Sequence, residues 1–464
     1  MKYISTRGKC APVDFETAVM SGLAPDGGLF LPASIPRVGR KLAAWSRLSY
    51  PRLAFEIISL FCDMPRRDLQ RIIERSYAAF PRPEIAPLVA LRGYFLLELF
   101  HGPTLAFKDF ALQFLGNLFE YFLRRSGGSL NLLAATSGDT GSAAIAGVQG
   151  KARMRIFVLY PCGRISAAQE RQMTTVLDKN VYCLAVKGSF DDCQNIVKGL
   201  LSDLEFRAAG HLGAVNSINW ARILAQIVYY FHAYFRARRL TGKAKARFSV
   251  PTGNFGDIFA GYLAWRMGLP LARLVLAGNQ NNILPVFFQK GVYERGRVCR
   301  TLSPSMDIQV ASNFERYLYY RLGRNPAKVR RLMKKFAKDG KFNLRDMGAL
   351  RPDPLFASGF AGNGATLAEI RRCYRENKYI LDPHTAVGVH VARRFLSTEE
   401  PMICLATAHP AKFEKAVARA IGKNMASHPA IEALKKKKAR RFILPADLGK
   451  VKEFITTQIA QATG

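Results

Sequence analysis

The chain has 464 residues, 49% of them hydrophobic, which is room for about three domains of ~150 residues with sizeable cores, and no uninterrupted apolar run reaches the ~18 residues of a membrane span. Its 69 Lys and Arg against 34 Asp and Glu give a formal net charge of +35, yet the cations lie in short scattered groups such as Arg66-Arg67 and Arg371-Arg372, with one dense run from Lys435 to Arg441. That pattern reads as basic solvated faces, with non-specific polyanion binding as the lesser reading and no specific nucleic acid expected.

Eight cysteines show no CxxC pair and no metal-ligand spacing, so disulfides, zinc and other metals are not expected. The start, Met1 to Gly8, lacks the apolar segment of a secretion signal, so the expected location is the cytosol.

Residues 1–92 read as a mainly helical N-terminal domain. Its elements are a short helix from Phe15 ended by Gly22, a Pro-Asp-Gly-Gly turn at 25–28, and amphipathic helices over Ser49 to Phe61 and Asp68 to Phe80. The cluster Pro81, Pro83 and Pro87 marks its boundary. From Gly93 onward strands alternate with helices, as in open α/β structure with mostly parallel sheets. Strands are expected at Tyr94 to Leu99, Leu130 to Ala135, Met154 to Tyr160, Val181 to Val186, Phe248 to Val250, Leu274 to Ala277 and Ile403 to Thr407, with helices near 167–177, 192–208 and 219–239 between them. So many strands imply two lobes, 93–240 and 241–425, followed by a basic C-terminal segment, 426–464.

Three stretches carry chemistry. In His101-Gly-Pro-Thr-Leu-Ala-Phe-Lys-Asp-Phe110 a helix is expected to start within a residue or two of Thr104, its apolar stripe running from Phe107 to Phe122. Lys108 then sits in the first turn, near the positive end of the helix dipole, where a neutral amine is favoured. Taken alone, that placement also fits an exposed helix-start lysine. In Thr136-Ser-Gly-Asp-Thr-Gly141 a strand runs into a helix through small residues, presenting free N–H groups to an anion such as a carboxylate. In Pro251-Thr-Gly-Asn-Phe-Gly-Asp257 a strand, a glycine turn and a helix start make a phosphate cradle with neither P-loop nor GxGxxG spacing, although such a loop is also an ordinary α/β turn. Together, lysine, carboxylate loop and phosphate loop suit pyridoxal phosphate, whose aldehyde needs the amine and whose phosphate needs the second loop.

With these motifs the sequence resembles the threonine synthases, in the longer form with an extra N-terminal domain, which share their fold with the tryptophan synthase β and cysteine synthase type of pyridoxal enzymes. Further matches are Tyr3 to Gly8, Ala24 to Gly28, Gln172 to Val176, Asn216 to Arg222, Ser305 to Arg316, Leu381-Asp-Pro-His-Thr-Ala-Val-Gly388 and Ala406 to Phe413, covering nearly the whole chain. The resemblance implies that Lys108 binds the cofactor covalently, that Gly253, Asn254, Phe255, Gly256 and Asp257 hold its phosphate mostly through backbone N–H, and that Thr407 bonds its ring nitrogen. It also implies that Ser137, Gly138, Asp139 and Thr140 take the substrate carboxylate. Asp139 stands where cysteine synthase has an asparagine, so that residue's contact with the ring oxygen does not carry over.

The activity implied is conversion of O-phospho-L-homoserine and water to L-threonine and phosphate, a β,γ-replacement that ends threonine biosynthesis. Asn216, Ser217, Asn219 and Arg222 are candidates for the substrate phosphate, positions 219 and 222 sharing a helix face. The competing readings are another pyridoxal-dependent lyase, such as a phospho-lyase or a serine/threonine dehydratase, and a non-enzymatic polyanion-binding protein. His101, His384 and His409 read as hydrogen-bonded packing, and Tyr229, Tyr230 and Phe231 as aromatic helix packing.

Overall fold

Apolar runs such as Phe248 to Val250 and Ile403 to Leu405 must be covered on both faces, and they are, inside a mostly parallel sheet. The computed structural model describes residues 1–81, 84–348, 351–423 and 425–461. Contacts divide the chain into two units made of non-consecutive segments, Met1–Phe107 with Ser217–Ala426 and Lys108–Asn216 with Ser427–Gly464.

The first unit is built on a six-stranded sheet in the order Phe356–Phe360, Leu271–Gly278, Ala246–Pro251, Met402–Ala406, Tyr94–Glu98, Leu88–Leu91. All neighbours are parallel except the last pair. Parallel pairing puts the C-terminal ends of Ala246–Pro251, Met402–Ala406 and Tyr94–Glu98 on one edge, where ligands of open α/β sheets bind. Helix Trp220–Thr241 packs on Tyr50–Ile58 and on Gly256–Arg266. The N-terminal stretch expected as a separate domain over 1–92 belongs to this unit. Trp220 Nε1 donates to Tyr3 Oη at 2.9 Å and Asn219 Nδ2 to the Val19 carbonyl at 2.8 Å, contacts 200 or more positions apart in sequence that no local pattern announces. Of the expected boundary prolines, Pro83 lies outside the described residues.

The second unit holds a five-stranded all-parallel sheet in the order Phe442–Pro445, Val181–Lys187, Met154–Pro161, Leu130–Ala135, Leu212–Ala214. The basic segment expected to stand apart at 426–464 supplies its edge strand and a final helix, Leu448–Ala460, whose Val451 and Ile455 join Leu184, Val186 and Leu200 in the core. Two of its seven residues from Lys435 to Arg441 are structural cations. Arg440 donates to the carbonyls of Asp178 and Val181, and Arg441 pairs with Glu170 at 2.6 Å.

The long helix opening this unit begins at Lys108, four residues later than its sequence suggests. The reason is a competing register: Leu99 donates to the Ala406 carbonyl, Ala106 bridges Ala408, the Phe107 amide donates to the Thr407 carbonyl at 2.9 Å, and Leu105 takes a left-handed φ of 58°. Helix Lys108–Ser126 then crosses Asp139–Val148 at two glycines. A Cβ at Gly116 would lie 2.0 Å from the Gly147 carbonyl oxygen, and one at Gly147 2.4 Å from that of Leu112. Gly116→Ala is therefore expected to destabilise the protein by about 1–3 kcal/mol through overpacking, read as an earlier midpoint in urea unfolding. An unchanged midpoint would mean that the two helices part without cost.

Candidate active site

The reading of Lys108 as an exposed helix-start residue does not hold. Its side chain is buried, and Nζ lies 3.6 Å from Asp139 Oδ2. The dipole of its own helix is thus not the only field on this amine, since the Asp139 carboxylate pulls the other way.

Asp139 is held by the loop that precedes it. Thr136 Oγ1 accepts from the amides of Gly138 and Gly141, each at 2.9 Å, folding the strand end back on the helix start. Gly138 has φ 128°, and a Cβ there would meet the Gln169 side chain at 2.4 Å, so the position requires glycine. That closeness lets Gln169 Nε2 donate to Asp139 Oδ1 at 3.0 Å. Ser137 and Thr140 are half-buried, and among the described residues their amides have no protein acceptor.

In the first unit the loop after Ala246–Pro251 is built to leave amides free. Phe255 takes a left-handed φ of 64°, its ring packed among Phe288, Phe314, Tyr317 and Phe356. The Asn254 carbonyl accepts from the Asn313 amide at 3.0 Å, and Ser312 Oγ donates to Asn254 Oδ1 at 3.1 Å. The amides of Gly253 through Asp257 have no protein acceptor among the described residues, at the start of helix Gly256–Arg266. Free amides in such a row at a helix start are able to hold an anion.

The Asp257 side chain is turned away from any such role. Tyr229 Oη donates to Asp257 Oδ1 at 2.6 Å and Tyr230 Oη to the same oxygen at 2.9 Å. The two tyrosines read as packing from sequence are therefore also hydrogen-bond donors to the helix start. Burial pushes the Asp257 carboxyl up to about 6, the two tyrosine hydroxyls offsetting only part of that cost.

Thr407 follows the central strand Met402–Ala406. Its amide donates to Thr385 Oγ1 at 3.1 Å, and its own hydroxyl bonds no protein group among the described residues.

The four candidates for the substrate phosphate separate. Asn216 is exposed and closes a segment of the second unit, whereas Ser217, Asn219 and Arg222 belong to the first. Asn219 is committed at both ends of its amide, capping the helix at Ala221 N and donating to Val19. Ser217 is half-buried, its Oγ 3.4 Å from that of Ser312. Arg222 is buried with Nε and Nη1 lacking any hydrogen-bond partner among the described residues, and desolvation lowers its guanidinium to about 10.

Sequence reasoning missed Gln169, Ser312, Asp382 and Thr385. For the last two the signal was present, because Asp-Pro followed by Thr is a helix start with a capping carboxylate.

The comparisons with known proteins agree with one another. The model of the pyridoxal-phosphate-dependent enzyme family matches residues 80–342, that of the threonine synthase N terminus matches 2–77, and that of the threonine synthase C-terminal region matches 385–455. Threonine synthase of Pseudomonas aeruginosa is 45% identical over 98% of this chain and 98% of its own, and that of Schizosaccharomyces pombe 48% over 90% and 88%. The chain belongs to the threonine synthase family. Among solved structures, the pyridoxal-phosphate-bound threonine synthase of Brucella melitensis superposes with a TM-score of 0.94 at 44% identity, covering 99% of each chain, and the yeast threonine synthase with 0.93 at 43%, also over 99% of each.

As a member of the threonine synthase family the protein is a pyridoxal-phosphate-dependent lyase. Its own residues are of the kinds that cofactor needs: a buried lysine and, among the described residues, a row of amides without protein acceptors and a Thr407 hydroxyl without a protein partner. No helix among the described residues is long and apolar enough to cross a membrane.

Asp257 supplies a test of this geometry. A carboxyl raised from 3.8 to about 6 on folding binds more protons in the native state. The stability it contributes is therefore whole below pH 4 and lost as the pH climbs through 6. In Asp257→Asn that fall should vanish, so the difference in unfolding free energy between variant and wild type should shift between pH 4 and pH 7. Parallel profiles would show that the carboxyl is not buried as described.

Proposed function

We propose that the protein converts O-phospho-L-homoserine and water to L-threonine and phosphate, in the cytosol, where its eight free thiols would stay reduced. The observation that carries the choice of substrate is Arg222. A buried guanidinium with two nitrogens unpaired among the described residues asks for an anion, and a phosphorylated substrate supplies one where serine or threonine does not.

Pyridoxal phosphate, when bound, supplies the electron sink that stabilises negative charge at the substrate Cα. The Gly253–Asp257 amides hold its phosphate and the Thr407 hydroxyl its ring nitrogen, a donor that leaves that nitrogen uncharged, unlike an aspartate. The amides of Ser137 and Thr140, with Gly138 shaping their loop, receive the substrate carboxylate, and Arg222 with Ser217 the substrate phosphate. Asn219 serves by capping the helix that presents Arg222. Lys108, as the neutral amine, removes the Cα proton and then moves protons at Cβ, and phosphate leaves from Cγ. Water adds at Cβ, and protons return to Cγ and Cα. Asp139, 3.6 Å from Nζ, keeps the amine oriented through these transfers and favours its protonated form when it must act as an acid.

Lys108→Ala should abolish formation of threonine and phosphate, which the wild type should release from phosphohomoserine in equal amounts. Unequal release, or turnover of free serine at a comparable rate, would point to the lyase or dehydratase reading. Arg222→Gln should raise KM for phosphohomoserine about 10- to 100-fold, the cost of one charge-assisted contact, with cofactor affinity unchanged. An unaltered KM would remove Arg222 from the site.

A further inference from the structure

The segment Leu381 to Gly388 stood out in the sequence without a role, and the structure gives it one. Helix Pro383–Ala392 is buried almost throughout, which is unusual for a segment with Asp, His and Thr in its opening turn. Each of those polar groups is spent within the fold. Asp382 accepts from the amides of His384 at 2.8 Å and Thr385 at 3.3 Å, from His384 Nδ1 at 2.9 Å, and from the Thr385 hydroxyl. His384 Nε2 accepts from the Ser305 amide at 3.2 Å.

Thr385 is the link to the site. Its single hydroxyl proton goes to the Asp382 carboxylate, which can only accept, so Oγ1 is left to accept from the Thr407 amide at 3.1 Å. The polarity of the chain Thr407 to Thr385 to Asp382 is thereby fixed. One turn on, the same helix touches the phosphate loop. The Gly388 carbonyl accepts from Ser249 Oγ at 2.8 Å, and a Cβ at Gly388 would press on Pro251 at 3.0 Å. Ser249 and Pro251 belong to the strand that delivers the loop, and the Ser305 turn held by His384 closes on Gly253, where a Cβ would lie 2.9 Å from the Ser305 carbonyl oxygen. A single rigid helix therefore sets both the Thr407 end and the phosphate-loop end.

We propose that Asp382 and Thr385 are positioning residues that set Thr407 at a fixed distance from the Gly253–Asp257 cradle, so that ring nitrogen and phosphate are gripped together. This rests on the roles given above to Thr407 and the loop. Both residues bond protein groups and act on the cofactor site only through Thr407 and the loop. Their effect passes through the backbone of Thr407, which a valine at 385 would leave as a buried amide without an acceptor.

The test uses full-length apo-protein titrated with pyridoxal phosphate, followed by absorbance of the bound cofactor and by tryptophan fluorescence. Thr385→Val should weaken binding roughly 10-fold or more, the cost of one unmade buried hydrogen bond, and displace the absorption maximum. Thr385→Ser, which keeps the hydroxyl, should restore both. Thr407→Ala should move the maximum in the same way, and adding Thr385→Val to it should produce little further displacement, because the first change has already removed the group being positioned. Should the valine variant not fold, Thr385→Ala relieves the packing and is held to the same outcomes. Wild-type affinity and spectrum in the valine or alanine variant, or fully additive shifts in the double variant, would overturn the proposal. A Thr407→Ala protein with unchanged affinity and spectrum would instead overturn the role of Thr407 itself.

Discussion

The hydrogen bond from the Phe107 amide to the Thr407 carbonyl, 2.9 Å long, is the constraint on which the site depends. It is the last rung of a short antiparallel register between 105–107 and 407–409, and the chain leaves that register one residue before Lys108. Thr407 is held from its other side by Thr385, so the carbonyl and the amide of one residue are both spoken for while its hydroxyl stays open. Lys412, fully buried, donates to the Thr104 carbonyl at 2.8 Å, one residue ahead of that register. A buried ammonium is costly to keep, and a fixed carbonyl acceptor offsets part of that cost.

Unmet hydrogen-bonding capacity singles out a few places in this fold. Interiors pair nearly all their polar groups. Among the described residues the exceptions include the amides of two strand-to-helix loops, the Thr407 hydroxyl and two nitrogens of Arg222, beside scattered side-chain atoms such as Gln113 Nε2 and Gln226 Oε1. The buried carboxylates behave differently. Asp139 meets Lys108 and Gln169, Asp257 meets two tyrosines, and Asp382 meets a histidine and a threonine, so all three organise the site through neighbours.

Much of this was legible in the sequence. Hydrophobic runs located the inner strands to within a few residues, because a strand buried on both faces must be apolar throughout, and small residues with glycine located both loops. What escaped was whatever depends on the direction of a side chain or on distant contacts. Asp257 reads like part of a phosphate loop, but its carboxylate faces a helix whose tyrosines lie 27 and 28 positions earlier. Asn219 and Arg222 do fall on adjoining turns, yet one is consumed by Val19 and the other is left open. The helix expected from Thr104 starts at Lys108 because pairing with 406–409 outweighs the local preference for an earlier cap. The lysine-rich stretch near the C-terminus looked like a tail, since nothing within it shows that the following residues complete a sheet begun at Leu130.

That last arrangement bears on how the polypeptide acquires its shape during synthesis. Met402–Ala406 is an inner strand of one sheet and Phe442–Pro445 the edge of the other, and each pairs with strands far earlier in sequence, so neither sheet can close until these late segments have been made. Pairing partners 308 positions apart, such as Ile403 and Phe95, make early, local completion impossible, and nascent intermediates must carry open strand edges for much of translation. Like-charged unfinished chains repel one another, which slows association at those edges until the final helix docks.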